Sequence, residues 1–305
     1  MGDKTKIPWT DATWNPVTGC TPVSSACDHC YAARMIGRGL PKMGHEGPFS
    51  HVQFHPSRLD QPLRWKKPRR IFVCSMGDLF HEQVAMAWVD DVRRTISKCQ
   101  QHTFMVLTKR PERMKEYFTS EWYRPPINLW LGVTAENQEM ADLRIPILLQ
   151  TPAAKRFVSV EPCLGPVDLT RIKIYNGVIE CAGGRLPPVD WIIAGGESGP
   201  GARPMHPNWP RSLRDQCQAA GVPFFFKQWG EWSPEKPVGF HRVTKKRYSH
   251  ESDTFLPNGM RYRSDHPDDF LLSGMETMWR VGKKAAGCLL DGQEWNQFPT
   301  AKEKR

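Results

Sequence analysis

Six short apolar runs recur along this chain at a nearly regular beat: residues 71–73 (IFV), 104–107 (FMVL), 129–133 (LWLGV), 156–160 (RFVSV), 191–195 (WIIAG) and 223–226 (PFFF), with starts 25 to 35 residues apart. That interval holds one strand, one helix and two loops. Apolar runs without alternation suit strands buried on both faces, as in a parallel sheet. Between the first two runs, Val84, Trp88, Val92 and Ile96 return every four residues and predict one buried helical stripe. Ahead of the last run, Asn208 is placed to cap a helix with Pro210 in its first turn. Leu213 and Cys217 would face inward there, and Gly221 would end the helix before Pro223. An extended segment leading into Cys20 brings the total to about seven strands. The pattern predicts an α/β fold, a full or partial TIM-like (β/α) barrel of parallel strands over residues 1–230.

Each predicted strand runs into polar residues. Ser75, Gly77 and Asp78 follow the first run, and Thr108, Lys109 and Arg110 the second. Thr134 and Glu136, then Ser159 and Glu161, then Gly195, Gly196, Glu197 and Ser198, then Lys227 and Gln228 follow the others. In a barrel these carboxyl ends converge on one rim, where active sites lie. A shared polar site is expected there. The basic run Lys66-Lys67-Pro68-Arg69-Arg70 precedes a strand, which places it at the opposite rim as a solvated face.

Ahead of these strand ends stand Cys20, Cys27 and Cys30, separated by six and then two residues. Three clustered thiolates point to a metal or iron–sulfur site. Structural zinc and complete clusters usually take four protein ligands, so three leave one position open for chemistry. A zinc completed by His29 or by a distant cysteine is the other reading. Cys74, Cys99, Cys163, Cys181, Cys217 and Cys288 are scattered and read mostly as buried small hydrophobes.

Nine cysteines in 305 residues is not the density of a disulfide scaffold. The opening MGDKTKIPWTD carries no basic n-region followed by an apolar stretch, and no run of eighteen apolar residues occurs. A cytoplasmic location without membrane contact is expected. The net charge of +10 leans toward polyanionic partners such as nucleic acid or nucleotides. Residues 231–305 carry 13 Lys+Arg against 11 Asp+Glu, so +8 of that charge sits in the first 230 residues.

Residues 231–275 break the repeat. They interleave aromatic and basic side chains (Phe240, His241, Arg242, Lys245, Lys246, Arg247, Tyr248, Arg261, Tyr262, Arg263) among turn formers. Such a stretch serves stacking and phosphate contacts, or forms a short β excursion over the barrel. Residues 231–305 are therefore expected to be an extension that covers the barrel and can touch substrate. Gly282 to Gly287 has no Ser or Thr after its lysines and is not a phosphate loop; it predicts a terminal helix.

A three-cysteine cluster after the first strand of a βα barrel resembles the radical S-adenosylmethionine (radical SAM) superfamily. More narrowly, the chain resembles a phage- and mobile-element-associated three-Cys-motif family without a settled function. The resemblance rests on TWNPVTGC…CDHCYA, FVCSMGDLF, VSVEPCLGP, WIIAGGESGPGARP and VGKKAAGCLLDGQEWNQFP, which together reach from residue 13 to 299. It implies that Cys20, Cys27 and Cys30 hold a [4Fe–4S] cluster whose fourth iron is chelated by SAM. It also implies an electron donor for the cluster and radical chemistry on a nucleotide or nucleic-acid-related substrate. The superfamily's usual spacing is three then two, and its Gly-Gly-Glu after the second strand stands here as Met76-Gly77-Asp78. By position Asp78 would take the SAM amine. Gly195-Gly196-Glu197 would approach the ligand closely, with Glu197 on a ribose, an adenine or the substrate. Strand-end carboxylates (Glu136, Glu161) suit the SAM amine and ribose hydroxyls, and Thr108, Thr134 and Ser159 suit ribose or carboxylate oxygens. Ser75 is expected among the cofactor-binding residues, and Lys109, Arg110 and Lys227 suit a carboxylate or phosphate. A reading of a different class is a zinc- or cluster-containing nucleic-acid-binding protein of a mobile element, without turnover.

Overall fold

The computed structural model describes residues 5–38, 44–120, 125–174, 177–180, 186–235, 252–259, 261–262 and 275–300. Cys181 and, within the aromatic–basic stretch, Phe240 to Tyr248 and Arg263 lie outside them. Seven parallel strands form one sheet in chain order: β1 (Ala12–Trp14), β2 (Arg70–Val73), β3 (Thr103–Thr108), β4 (Leu129–Thr134), β5 (Lys155–Val160), β6 (Trp191–Gly195) and β7 (Phe224–Gln228). Every expected strand is present. The register runs Val73 beside Val106, Val106 beside Leu131, Thr134 beside Ser159, and Val160 beside Ala194. β1 and β7 stay at opposite edges, so the sheet is a partial barrel.

Helices α1 (Tyr31–Gly37), α2 (Met86–Lys98), α3 (Pro111–Phe118), α4 (Gln138–Gln150) and α5 (Asn208–Ala220) fill most crossovers. In α2 the buried residues are Val89, Val92, Thr95 and Ile96. Steps of four drift by about 40° each on a helix of 3.6 residues per turn. Val84 therefore lies buried ahead of the helix, and half-buried Trp88 leaves the inner face to stack on Phe54 at 5.0 Å. In α5, Leu213 and Cys217 are buried and Gly221 ends the helix at φ +66°, as expected. Asn208 is the first helical residue rather than the cap; its N–H donates to His206 Nδ1 at 3.1 Å.

The crossover from β5 to β6 departs from the expected helix. Its described residues form an antiparallel pair, Arg171–Ile174 with Gly177–Glu180. Pro162 and Pro166 interrupt a helix early, and Arg171-Ile172-Lys173-Ile174 alternates with a strand's period. The extension contributes a four-stranded antiparallel sheet from Trp232–Ser233, Ser252–Phe255, Arg261–Tyr262 and Glu276–Arg280. The expected terminal helix is one turn, Lys283–Ala286.

Two apolar layers sandwich the sheet. The concave layer is aromatic, built on Trp9, Phe72, Met105, Phe157, Trp191, Ile193 and Phe225. The chain's end returns to it: Phe226 N–H donates to Trp295 O at 2.7 Å, and Trp191 Nε1 donates to Gln297 O at 2.9 Å. Arg70, at the amino end of β2, lies 4.0 Å over the Phe298 ring. The tail thus blocks the β7 edge and closes the amino end of the half-barrel.

Candidate functional site

Side chains alternate between the faces of a strand, so the residues two and four beyond the aromatic layer line the concave face nearer the carboxyl rim. From Phe157 these are Ser159 and Glu161, from Ile193 it is Gly195, and from Phe225 it is Lys227. The contacts agree: Lys227 Nζ donates to Glu161 Oε1 across β6. Gly195 lies between them, with the place of a Cβ 3.4 Å from Lys227 Cβ and 3.5 Å from Glu161 Cδ. Thr134 lies on the neighbouring strand in register with Ser159. Glu136 lies two residues past Thr134 and turns to the helix layer, where Oε2 accepts from Arg144 Nη1 at 2.8 Å and Oε1 has no partner among the described residues.

The cysteine loop is tied to this rim at several places. Asn15, just after β1, accepts from Ser75 Oγ at 3.1 Å and from Met76 N–H at 2.9 Å. Gly19 then lies against Gly77, its N–H donating to Met76 O at 2.9 Å. A Cβ on Gly77 would stand 2.9 Å from Gly19 O, and Gly19 itself adopts φ +92°. This close approach delivers Cys20 to the rim. Cys27 closes a tight 3₁₀ turn, Ser25–Cys27, and Cys30 directly precedes α1.

All three thiols are free and half-exposed, whereas Cys74, Cys99, Cys163 and Cys217 are buried. Burial pushes the buried Cys74, Cys163 and Cys217 thiols up to about 12. Burial also pushes Cys20 up to about 11, Asp78 adds to this, and the Arg110 guanidinium opposes it.

Asp78 is buried and its carboxylate is spent on the protein. It accepts from Thr108 Oγ1 at 2.8 and 2.9 Å, Lys109 N–H at 3.2 Å, Phe80 N–H at 3.0 Å and Arg110 Nη1 at 3.4 Å. Glu197 is similarly committed. Arg203 reaches it through Nη2 at 2.7 Å, Nε at 2.9 Å and its N–H at 2.8 Å, and His29 Nδ1 lies at 3.0 Å. Arg203 continues to Ser25 O at 2.8 Å and Asp28 Oδ2 at 3.1 Å, inside the cysteine loop. Gly196 packs on Trp229 O, Gly199 on the Arg34 guanidinium and Gly201 on the His29 ring, each at a distance a Cβ would violate. Residues 195–203 are therefore the seat of the cysteine loop.

Asn15, Tyr31 and Arg203 were not among the expected site residues. Each sits inside a quoted motif (WNP, CYA, GARP), and only the fold reveals its partner. The Tyr31 hydroxyl donates to Ser75 O.

Three free thiols on one loop, with no fourth protein thiol required, fit an iron–sulfur cluster with one open iron. Among the described residues no three His, Cys, Asp or Glu side chains stand in closed metal-binding geometry, so the fit rests on the donor set. His29 fits the role of a further ligand poorly, since Nδ1 faces Glu197 and the ring abuts Gly201. No helix among the described residues is long and apolar enough to cross a membrane.

No curated protein matches the chain. Its structure is similar to that of a spore photoproduct lyase variant with bound AdoMet and dinucleoside spore photoproduct, with 10% identity and a TM-score of 0.44 over 91% of this chain and 70% of that one. Residues 4–299 match the family described as "Protein of unknown function (DUF5131)", and the chain belongs to that family.

Proposed function

We propose that the chain is a radical SAM-type enzyme acting on a nucleotide or nucleic-acid-related substrate. The observation that carries this reading is the placement of three free, half-exposed thiols above the carboxyl ends of a parallel half-barrel, against a rim of polar side chains. Cys20, Cys27 and Cys30 would hold a [4Fe–4S] cluster, which when bound supplies an electron from an external donor to the SAM sulfonium.

The chain's own residues supply position and dryness. Thr134 and Ser159 offer hydroxyls at the concave rim, where ribose or carboxylate oxygens are bound. Lys227 and Glu161 form one ion pair whose two halves suit the carboxylate and amine of an amino acid, or a phosphate and a donor group. The aromatic layer beneath them keeps water from entering through the amino end. The Asn15, Gly19–Gly77 and Glu197–Arg203 ties hold the cysteine loop before any group binds. The short helix Lys283–Ala286 of the extension would lie at the substrate side, since exposed Lys283 comes near Lys227, Glu161 and Glu231.

Anaerobic purification tests the reading. A brown protein with about four irons per chain, forming 5′-deoxyadenosine from SAM after reduction, is the expected result. A colourless protein with one zinc and no SAM binding overturns it, and favours the nucleic-acid-binding alternative.

A further inference from the structure

Arg110, one residue past Lys109 at the end of β3, is 5% exposed, so its guanidinium must find its partners inside the protein. Nε donates to Glu82 Oε1 at 2.8 Å. Nη2 donates to Thr21 O and Thr21 Oγ1, both at 3.0 Å. Nη1 reaches Asp78 Oδ2 at 3.4 Å and Cys20 Sγ at 3.4 Å. One side chain therefore fixes the loops after β1, β2 and β3, and turns a charged donor on one cysteine of the three. Among the described residues, Cys27 and Cys30 receive no hydrogen bond at sulfur.

The surrounding charges leave this donor effective. Asp78 already accepts from Thr108, Lys109 and Phe80, so its charge is spread over neutral donors as well as the guanidinium. Glu82 is 62% exposed and screened by solvent. The Nη1–H, by contrast, belongs to a buried guanidinium, and its contact with the half-exposed sulfur is charge-assisted.

We infer that Arg110 is a positioning residue for the iron–sulfur site: it donates an N–H···S bond to Cys20 and raises the reduction potential of the cluster that Cys20 would ligate. The inference rests on the iron–sulfur reading above. Hydrogen bonds to ligating sulfur withdraw electron density from the metal and favour the reduced state. Lys in place of Arg keeps the charge but loses the planar fork that serves Thr21, Glu82 and the sulfur together.

The test compares anaerobically reconstituted wild type, R110K and R110Q by iron content, by the Fe–S(Cys) stretching frequency in resonance Raman, and by EPR-monitored redox titration. Both variants are expected to keep the wild-type iron content, to show a raised Fe–S(Cys) stretch, and to titrate at a more negative potential, R110Q more so than R110K. A full cluster with unmoved potential in either variant overturns the inference, as does a folded R110K that loses its iron. If R110Q does not accumulate as folded protein, R110K decides alone. Wild type without a cluster fails the iron–sulfur reading itself, which separates the two failures.

Discussion

The Glu197 carboxylate and the Arg203 guanidinium meet through two side-chain bonds, Nη2 to Oε1 at 2.7 Å and Nε to Oε2 at 2.9 Å, and Arg203 passes the contact on to Ser25 and Asp28. The loop after β6 thereby clamps the loop after β1 across the mouth of the half-barrel. Glu197 is 5% exposed, so removing its partner strands a buried charge. Arg203→Met is expected to cost about 2–4 kcal/mol and to speed amide exchange over residues 24–31 more than elsewhere. Uniform exchange across the chain would refute the clamp.

The same pair sets a pH dependence. Burial pushes the Glu197 carboxyl up, but bonds from Arg203 and His29 outweigh it and hold the group below its ordinary value of 4.5. A depressed folded pKa gives stability that is present above the unfolded value and is lost as pH falls through the folded one. Melting temperatures of wild type and E197Q should therefore differ at neutral pH and converge under pH 4.5. Parallel curves down to the lowest pH would count against the clamp's charge.

Gly19 brings a second dependence. It adopts φ +92°, and a Cβ there would stand 2.4 Å from His51 O. Gly77 lacks the positive φ, and its Cβ would stand 2.9 Å from Gly19 O. Gly19→Ala carries backbone strain of about 1–3 kcal/mol on top of the clash, so it should lower the melting temperature more than Gly77→Ala. The reverse order would show that the loop before Cys20 relaxes freely.

The cysteines separate by environment. Cys27→Ala is expected to abolish iron binding, because one of the three half-exposed thiols proposed to hold the cluster is lost. Cys217→Ala removes a buried core thiol from α5 and should cost about 1 kcal/mol of stability while iron is retained. Equal iron loss in both variants, by metal analysis, would remove the assignment of the three-cysteine loop.

These outcomes bear on what was legible before the fold was known. Strands such as residues 104–107 and 191–195 declared themselves because both faces are buried and no polar residue interrupts them. The strand-end residue types were equally plain, but their partners were not. Asp78, Glu161 and Glu197 look alike in sequence. Asp78 turns to Thr108 and Arg110, Glu197 to Arg203, and only Glu161 meets Lys227 over Gly195 on the concave face. That difference depends on which strands are neighbours and on the face each residue takes. The crossover from β5 to β6 holds the antiparallel pair Arg171–Ile174 and Gly177–Glu180 where a helix was expected, because the repeat interval fixes only the room between strands.

Gly132 offers the sharpest test of the concave layer beneath the site. It lies in register with Phe157 on the adjacent strand, and a Cβ there would enter the Phe157 ring at 2.5 Å. The ring covers the glycine and closes the layer around Trp191, whose centroid is 6.0 Å away. Gly132→Ala overpacks this contact, for which about 1–3 kcal/mol is the usual cost. Phe157→Leu alone should also destabilise, by loss of aromatic packing. The two changes touch the same atoms, so their costs should not add: the double variant is expected to be more stable than the sum of the singles predicts. Chemical denaturation of all four proteins measures this coupling directly, and strict additivity would mean that Phe157 does not occupy the face of Gly132.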